Sequence, residues 1–460
     1  MAASEPGRHG GANGEWGPGG GGTLPGDGGI RLEFVDFGCK VNQAEGRELR
    51  ARLASLGFRV SARWERPEVT VVNACAVTAV SEAKARKETA RAKRRGSSLV
   101  VLTGCLAEVR REGWAGPFHP DLVVPQSEKQ GLPEMLAERL RLPGPADRRG
   151  RPEGRRAKAK AFIKVQDGCG HPCTYCIVPL ARGGPVSLPG KNILEEVRSC
   201  LEEGAGEIVL CGINLGAWRG EGGERLDGLV RSVLGLGEGF RVRLSSLDPE
   251  DLDNGLLEGL SGLERLCPHL HLPLQSGSDR VLKAMGRGYL AEEYLERVEM
   301  LRRRWDSPAV TTDVMVGFPG EEEEDFAATV ELLEKVRPSR MHVFRYSPRP
   351  GTAAARLQGQ VDEGVKRDRA SRLACLGSEL RREFARSQLG REAVLLAESL
   401  ARGGGKEAAW GVTERYVRAS LEGTGMEVGG LYRGVVAVEE GGVLGMRAGS
   451  GSPAAGAVGR

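Results

Sequence analysis

Apolar positions along the chain fall into three regimes. Between residues 31 and 141 the runs RLEFVDFGC, VTVVNAC and LVVLTGC are short and rich in β-branched residues. The stretches NQAEGRELRARLASLG and SEAKARKETARAKRRG carry helical spacing instead. Such alternation predicts a parallel sheet covered by helices. From 161 to 347 it repeats about six times, with strands AFIKVQ, EIVLCG, RVRLSSL, HLHLPL, AVTTDVMVGF and RMHVFRYS. Helical stretches such as NILEEVRSCLEEG, LAEEYLERVEMLRRRW and EEDFAATVELLEKV lie between them. Six β/α units predict a partial (β/α)6 barrel, open where the eight-unit form closes. From 390 to 447 the helical pattern stops, and EAVLLAES, WGVTERYVRASLEG and YRGVVAVEEGGVLGMRA read as strands parted by Gly-rich turns. So short an all-β segment closes best as a small antiparallel barrel.

These regimes set the expected boundaries: a leader at 1–29, an open α/β domain at 30–145, a basic linker at 146–160, the partial barrel at 161–385, the β-barrel at 386–447 and a frayed tail at 448–460. The leader contains GGANGEWGPGGGG and no apolar block, so it reads as disordered and not as a secretory signal. A length of 460 residues agrees with several domains. Apolar residues at 40% and charged residues at 28% fit a soluble globular chain, and no window nears eighteen uninterrupted apolar residues. A cytoplasmic protein is expected.

A net charge of +4 says little about partners. Its placement says more. Lys84, Arg86, Lys87, Arg91, Lys93, Arg94 and Arg95 crowd one stretch, and Arg151, Arg155, Arg156, Lys158 and Lys160 another. Either set is a solvated surface or the footprint of a polyanion such as RNA.

The ten cysteines of a reducing compartment are not expected to pair as disulfides. DGCGHPCTYC, just after the first barrel strand, spaces Cys169, Cys173 and Cys176 as C-x3-C-x2-C. A structural zinc ion would need a fourth ligand, for which His171 is cramped. Three thiolates on one loop suit a four-iron cluster better, because one iron stays open for a small ligand. Cys39, Cys75 and Cys105 each end a predicted parallel strand. Such ends converge on the ligand-binding edge of an open sheet, so these thiols are expected to meet. Cys200, Cys211, Cys267 and Cys375 have no ligand spacing and read as core or incidental thiols. His269 and His271 read as structural histidines, and Glu321 to Glu324 as a helix amino terminus.

C-x3-C-x2-C with Tyr175 before the last cysteine resembles the radical S-adenosylmethionine superfamily. The two cysteine sets together resemble its methylthiotransferases, a likeness running from about residue 31 to 445 through GINLGAW, RLSSLDPE, HLPLQSGS, DVMVGFPGEEEEDF and HVFRYSPRPGTAA. The last segment is similar to the RNA-binding TRAM barrel. FGCKVNQ and NACAVT look like the branch acting on N6-threonylcarbamoyladenosine in tRNA, whereas ARGGPVSLPG keeps only Arg182 and Ser187 of the family's arginine-rich run.

The resemblance implies two [4Fe-4S] clusters: one on Cys169, Cys173 and Cys176 that cleaves S-adenosylmethionine, and an auxiliary one on Cys39, Cys75 and Cys105 that holds the transferred sulfur. Tyr175, Gly212, Asn214, Ser245, Ser246 and Gln275 are the implied cofactor contacts. Lys84, Lys87, Arg91, Arg415 and Arg418 are the expected RNA contacts. Strand alternation would put Arg415 on one face and Tyr416 and Arg418 on the other. The implied partners are tRNA, an electron donor and a sulfur source, with a monomer expected. Competing readings are the same chemistry on isopentenyladenosine or a ribosomal protein, and a zinc-bearing RNA-binding module.

Overall fold

The computed structural model describes residues 29–64, 66–110, 118–142, 159–403 and 406–447. The expected leader up to residue 28, the tail, and the linker arginines with Lys158 lie outside them. Lys160, assigned above to the linker, instead opens a strand.

The amino-terminal domain runs β1 (Arg31–Asp36), α1 (Lys40–Ser55), β2 (Arg59–Ser61), β3 (Val69–Asn73), α2 (Ala79–Arg94), β4 (Leu99–Gly104), α3 (Cys105–Val109), β5 (Leu122–Pro125) and α4 (Leu132–Arg139). Its five strands are all parallel in the order 2-1-3-4-5. Every residue of β3 and β4 is buried, which is why these strands read as unbroken runs and not as alternation. The order of strand addition reverses between β1 and β3, and in doubly wound sheets the crevice opens at the carboxyl ends of such strands.

The second domain contains β6 (Lys160–Lys164), a short ribbon of β7 (Gln166–Asp167) and β8 (Val186–Ser187) around α5 (Val178–Arg182), then α6 (Gly190–Glu202), β9 (Glu207–Cys211), α7 (Leu226–Leu234), β10 (Arg241–Leu244), α8 (Asn254–Leu260), β11 (His269–His271), α9 (Asp279–Met285), α10 (Ala291–Arg304), β12 (Ala309–Val316), α11 (Glu323–Val336) and β13 (Arg340–Arg345). Parallel triplets β6–β9–β10 and β11–β12–β13 are stitched by the bridges Val242–Leu266 and Ser246–His271. No pairing joins β6 to β13, so the six-stranded barrel is open on that side.

Alternation sorts the two barrel faces. Ile163, Leu210, Val242, Leu244, Val310 and Val314 pack outward against Val197, Leu229 and Leu333 of the surrounding helices. The alternate positions face inward and are strongly polar: Lys160, Glu207, Arg241, Arg243, His269, His271, Asp313 and His342.

After α12 (Glu363–Arg386), strands β14 (Glu392–Gly403), β15 (Lys406–Thr413), β16 (Arg418–Gly423), β17 (Leu431–Glu440) and β18 (Val443–Arg447) close a barrel in the order 14-15-16-18-17. The expected single strand through WGVTERYVRAS is corrected here. β15 ends at Thr413, and a turn follows in which Tyr416 takes φ +61° and donates its N–H to Thr413 O at 3.0 Å. Arg415 is therefore not a free cation on a strand face: it pairs with Glu414 and, at 3.4 Å, with Asp306. The Tyr416 ring stacks on His269 of the neighbouring domain at 4.7 Å, with Arg243 5.0 Å from its centre.

That turn closes the floor of the larger barrel. Glu207, fully buried, accepts from Arg241 Nε at 2.7 Å and from Arg243 Nη2 at 2.9 Å. The same two arginines donate to carbonyls of the small barrel: Arg241 to Val394 and Val412, Arg243 to Thr413 and Glu414. Among the described residues no helix is long and apolar enough to cross a membrane. Arg243→Ala should remove two interdomain hydrogen bonds and half of Glu207's guanidinium partners, lowering unfolding free energy by about 3 kcal/mol in a urea titration.

Candidate functional site

Cys39 follows β1 and caps α1, Cys75 follows β3, and Cys105 opens α3 after β4. Close approach of these three strand ends depends on Gly38. Its φ is +121°, and a Cβ there would lie 2.3 Å from the Cys75 Cβ. Cys39 is exposed, while Cys75 and Cys105 are buried. Burial pushes the Cys75 thiol up to about 12, with Cys39 and Cys105 beside it adding to the shift. Burial also raises Cys105, against the pull of the Arg182 guanidinium.

A buried charge cluster lies next to this triad, on the seam between the first two domains. Glu45 of α1 accepts from Lys129 Nζ at 2.6 Å, Lys164 Nζ at 2.9 Å and Arg182 Nη1 at 2.8 Å. Desolvation opposes its charge, but these cations outweigh it and hold the carboxyl well below the usual carboxylate range. Arg182 also donates to Asp167 at 2.8 Å and, through Nε, to Cys105 Sγ at 3.1 Å. Three cations against two carboxylates leave a positive balance where thiolates gather.

The second triad occupies the loop between β7 and α5, at the carboxyl rim of the larger barrel. Cys169 N–H donates to Gly183 O at 3.1 Å, and Thr174 N–H to Met285 O at 2.9 Å. These bonds fasten the loop at both ends. Arg287 Nη1 donates to Cys173 Sγ at 3.2 Å while its Nη2 holds Asp248 at 2.6 Å. Burial raises Cys169, and it pushes Cys176 up to about 12. His171 turns away from the sulfurs, its Nε2 lying 2.9 Å from Asn214 Nδ2 and its Nδ1 3.9 Å from Glu250.

In neither triad do all three sulfurs lie within 4.8 Å of one another. Thiolates around one tetrahedral zinc, at about 2.3 Å from the metal, sit about 3.8 Å apart. The wider spread fits three corners of a four-iron cluster, one thiolate to each of three irons.

Other expected residues gather on the same rim. Gly212 N–H approaches Ser245 Oγ at 3.4 Å, and Asn214 N–H donates to Gln166 Oε1 at 2.8 Å. Asn214 Oδ1 is buried without a hydrogen-bond partner. Ser246 bridges to His271 and Gln275 to Val314, the latter with φ +68°. Tyr175 packs against a cluster that includes Val281, Met285, Phe318 and Tyr346. Ser187 accepts from Arg219 N–H at 2.9 Å. Of the basic residues on α2 and at its carboxyl cap, Lys84, Lys87 and Arg94 are exposed, Arg91 pairs with Glu88 at 3.2 Å, and Arg86, Lys93 and Arg95 are each tied to a carboxylate. Arg418 is exposed at the start of β16. Sequence reading missed Glu45, Lys129 and Lys164, whose pairing depends on the domain seam, and Arg287, whose partners Cys173 and Asp248 are far off in sequence; none has motif spacing.

Residues 163–333 match the radical SAM superfamily, and residues 31–124 match an uncharacterized protein family, UPF0004. A tRNA-2-methylthio-N(6)-dimethylallyladenosine synthase of Zymomonas mobilis is 37% identical over 79% of this chain and 84% of its own. The threonylcarbamoyladenosine tRNA methylthiotransferase MtaB of Thermotoga maritima is 36% identical over 80% and 86%. Its Aquifex aeolicus namesake is 34% identical over 88% of this chain and 99% of its own. Among solved structures, the radical S-adenosylmethionine methyltransferase TsrM of Kitasatospora setae superposes with a TM-score of 0.53 at 15% identity, covering 71% of this chain and 77% of that one.

At pH 8 a thiol at about 12 holds roughly a thousandfold less thiolate than one at the ordinary 9.0. Cys75 in metal-free folded protein should therefore alkylate on the order of a thousandfold more slowly than in urea, as peptide mass spectrometry would read. The sign follows: this buried thiol favours the folded metal-free chain below pH 9.0 and loses that effect as pH rises towards about 12.

Proposed function

The chain belongs to the radical S-adenosylmethionine tRNA methylthiotransferases, and within that family we propose that it replaces the C2 hydrogen of N6-threonylcarbamoyladenosine, beside the tRNA anticodon, with a methylthio group. One observation carries the division of labour. Arg182, six residues beyond Cys176, hydrogen-bonds Cys105 of the other triad at 3.1 Å, so two cysteine sets from separate domains address one space.

In this reading Cys169, Cys173 and Cys176 hold the cluster that meets S-adenosylmethionine, and Cys39, Cys75 and Cys105 hold the auxiliary cluster that carries the sulfur. S-adenosylmethionine supplies a carbon radical for hydrogen removal, since an aromatic C–H is too weakly acidic for a side-chain base, and a second molecule supplies the methyl group. Arg287 and Arg182 each give an N–H to a ligating sulfur and offset the negative charge of the thiolates. Gly212, Asn214, Ser245, Ser246 and Gln275 line the rim where the nucleoside part of the cofactor would lie, and the unpartnered Asn214 Oδ1 is a ready acceptor there. Tyr175 supports the loop from beneath. An electron donor and a sulfur source complete the cycle in the cytoplasm.

For the substrate branch, FGCKVNQ and NACAVT favour threonylcarbamoyladenosine, and relatives of both tRNA branches are similarly close. Exposed Lys84 and Lys87 on α2 and Arg418 on β16 are the proposed phosphate contacts, with Arg91 one turn along the same face as Lys87.

Nucleosides from a strain lacking the gene should lose 2-methylthio-threonylcarbamoyladenosine in mass spectra; loss of the methylthio-isopentenyl nucleoside instead would move the chain to the other branch. Cys173→Ala should abolish 5′-deoxyadenosine formation, whereas Cys75→Ala should keep part of it and lose methylthio transfer. Equal loss in both would mean that the amino-terminal cysteines are structural or that both sets serve one site. Changing Lys84 and Lys87 to Glu should weaken tRNA binding and flatten its log–log salt dependence by about two, measured by filter binding.

A further inference from the structure

The inner face of the larger barrel holds a cluster with no part in either cysteine site. His271 of β11, Asp313 of β12 and His342 of β13 bring their donor atoms within 4.8 Å of one another, the one such set of three among the described residues. Asp313 Oδ1 faces His342 Nδ1 at 3.0 Å, and Asp313 Oδ2 faces His271 Nε2 at 3.4 Å. His271 is fixed from behind by Thr311 Oγ1, 2.9 Å from its Nδ1. Burial opposes the Asp313 charge, yet hydrogen bonds from both imidazoles keep its carboxyl below the ordinary range.

Exposure rises across the cluster towards the unpaired edge of the sheet: the side chains are 9% exposed at His271, 26% at Asp313 and 44% at His342. His342 engages Asp313 through Nδ1, and its exposed side chain sits on β13, the edge strand of the β11–β12–β13 sheet. Phe344, two residues further towards the cysteine rim on the same strand face, is one of the few exposed large apolar side chains and lies 6.5 Å from the His342 ring.

We propose that His342, positioned by Asp313 and His271, is a specificity-determining contact for the polar N6 substituent of the target adenosine, an inference that rests on the threonylcarbamoyladenosine reading. The reacting atom is C2, and the N6 substituent leaves the purine from another edge. With C2 turned to the cysteine rim, the substituent points down the barrel wall past Phe344. A threonylcarbamoyl group brings a hydroxyl and urea N–H groups, which can donate to the free Nε2 of an imidazole that gives its Nδ1–H to Asp313 or to the Asp313 carboxylate itself. A dimethylallyl group offers none, and it would strip water from His342 and Asp313 without replacing those bonds. Sites whose polar groups lose their partner reject such analogues more strongly than apolar pockets reject small size differences.

The experiment uses reconstituted full-length enzyme and anticodon stem–loops carrying threonylcarbamoyladenosine, isopentenyladenosine or plain adenosine. His342→Phe should raise KM for the threonylcarbamoyl stem–loop about tenfold, with kcat changed far less, and narrow its preference over the isopentenyl one. His342→Gln, which keeps a hydrogen-bonding end, should restore most of the difference. Iron and sulfide per chain in each variant guards against a folding defect. A wild type that prefers threonylcarbamoyladenosine, with KM unmoved in His342→Phe, would overturn this inference and leave the substrate reading intact. A wild type that acts on isopentenyladenosine alone would overturn the substrate reading itself. One zinc ion per chain, copurifying with the wild type and lost in His342→Phe, would reassign the cluster to metal binding and also overturn the proposal.

Discussion

One buried carboxylate organises the meeting of the two large domains. Glu45 lies on α1, yet its partners come from a 3-10 turn of its own domain, from the first barrel strand and from the helix after the Cys169–Cys176 loop. Removing the Glu45 carboxylate would leave three cations facing only Asp167 away from water, so the pairings fix the relative placement of those elements more tightly than apolar packing alone. Through Arg182 the constraint passes to Cys105, and through α1 to Cys39 at its amino end. The distance between the cysteine sets is therefore set by electrostatics at a domain seam, while the sheets behind them supply rigidity.

The strands of the larger barrel were legible because their signals are local, whereas β2 and β5 of the first sheet, only three and four residues long, went unread. All six barrel strands lie where apolar runs predicted them, and the cysteines could be placed at strand ends from the boundary between run and turn. WGVTERYVRAS misled for a physical reason. A tyrosine in the left-handed region carries no mark in the sequence, and alternation across Thr413–Arg418 looked continuous although the chain reverses there. Its stability comes from outside the small barrel, from His269 and Arg243, which no local pattern of residues 390–447 contains.

The same limit applies to charge. Lys84 and Lys87 remain exposed, while their neighbours Arg86, Lys93 and Arg95 are spent on carboxylates as far off in sequence as Asp121 and Glu33. A basic run counts cations but not their partners. His269 and His271 were read as structural, which holds for His269 against Tyr416; His271 takes on more meaning only beside Asp313 and His342, contributed by two later strands. Polar residues at alternate positions of otherwise apolar strands, HLH, TTD and RMH, were the available sign of a polar barrel interior.

The floor of the large barrel has a consequence for biosynthesis. Chains emerge from the ribosome amino end first, and domains fold broadly in that order. Here Arg241 and Arg243 are translated about 150 to 170 residues before the carbonyls of Val394, Val412, Thr413 and Glu414 that complete their hydrogen bonding. Until the small barrel arrives, the nascent larger barrel must keep its guanidinium groups solvated through an unsealed base. Its interior is thus finished by a part of the chain made well after it, so ribosomes that stop between the two would release a barrel with an open bottom.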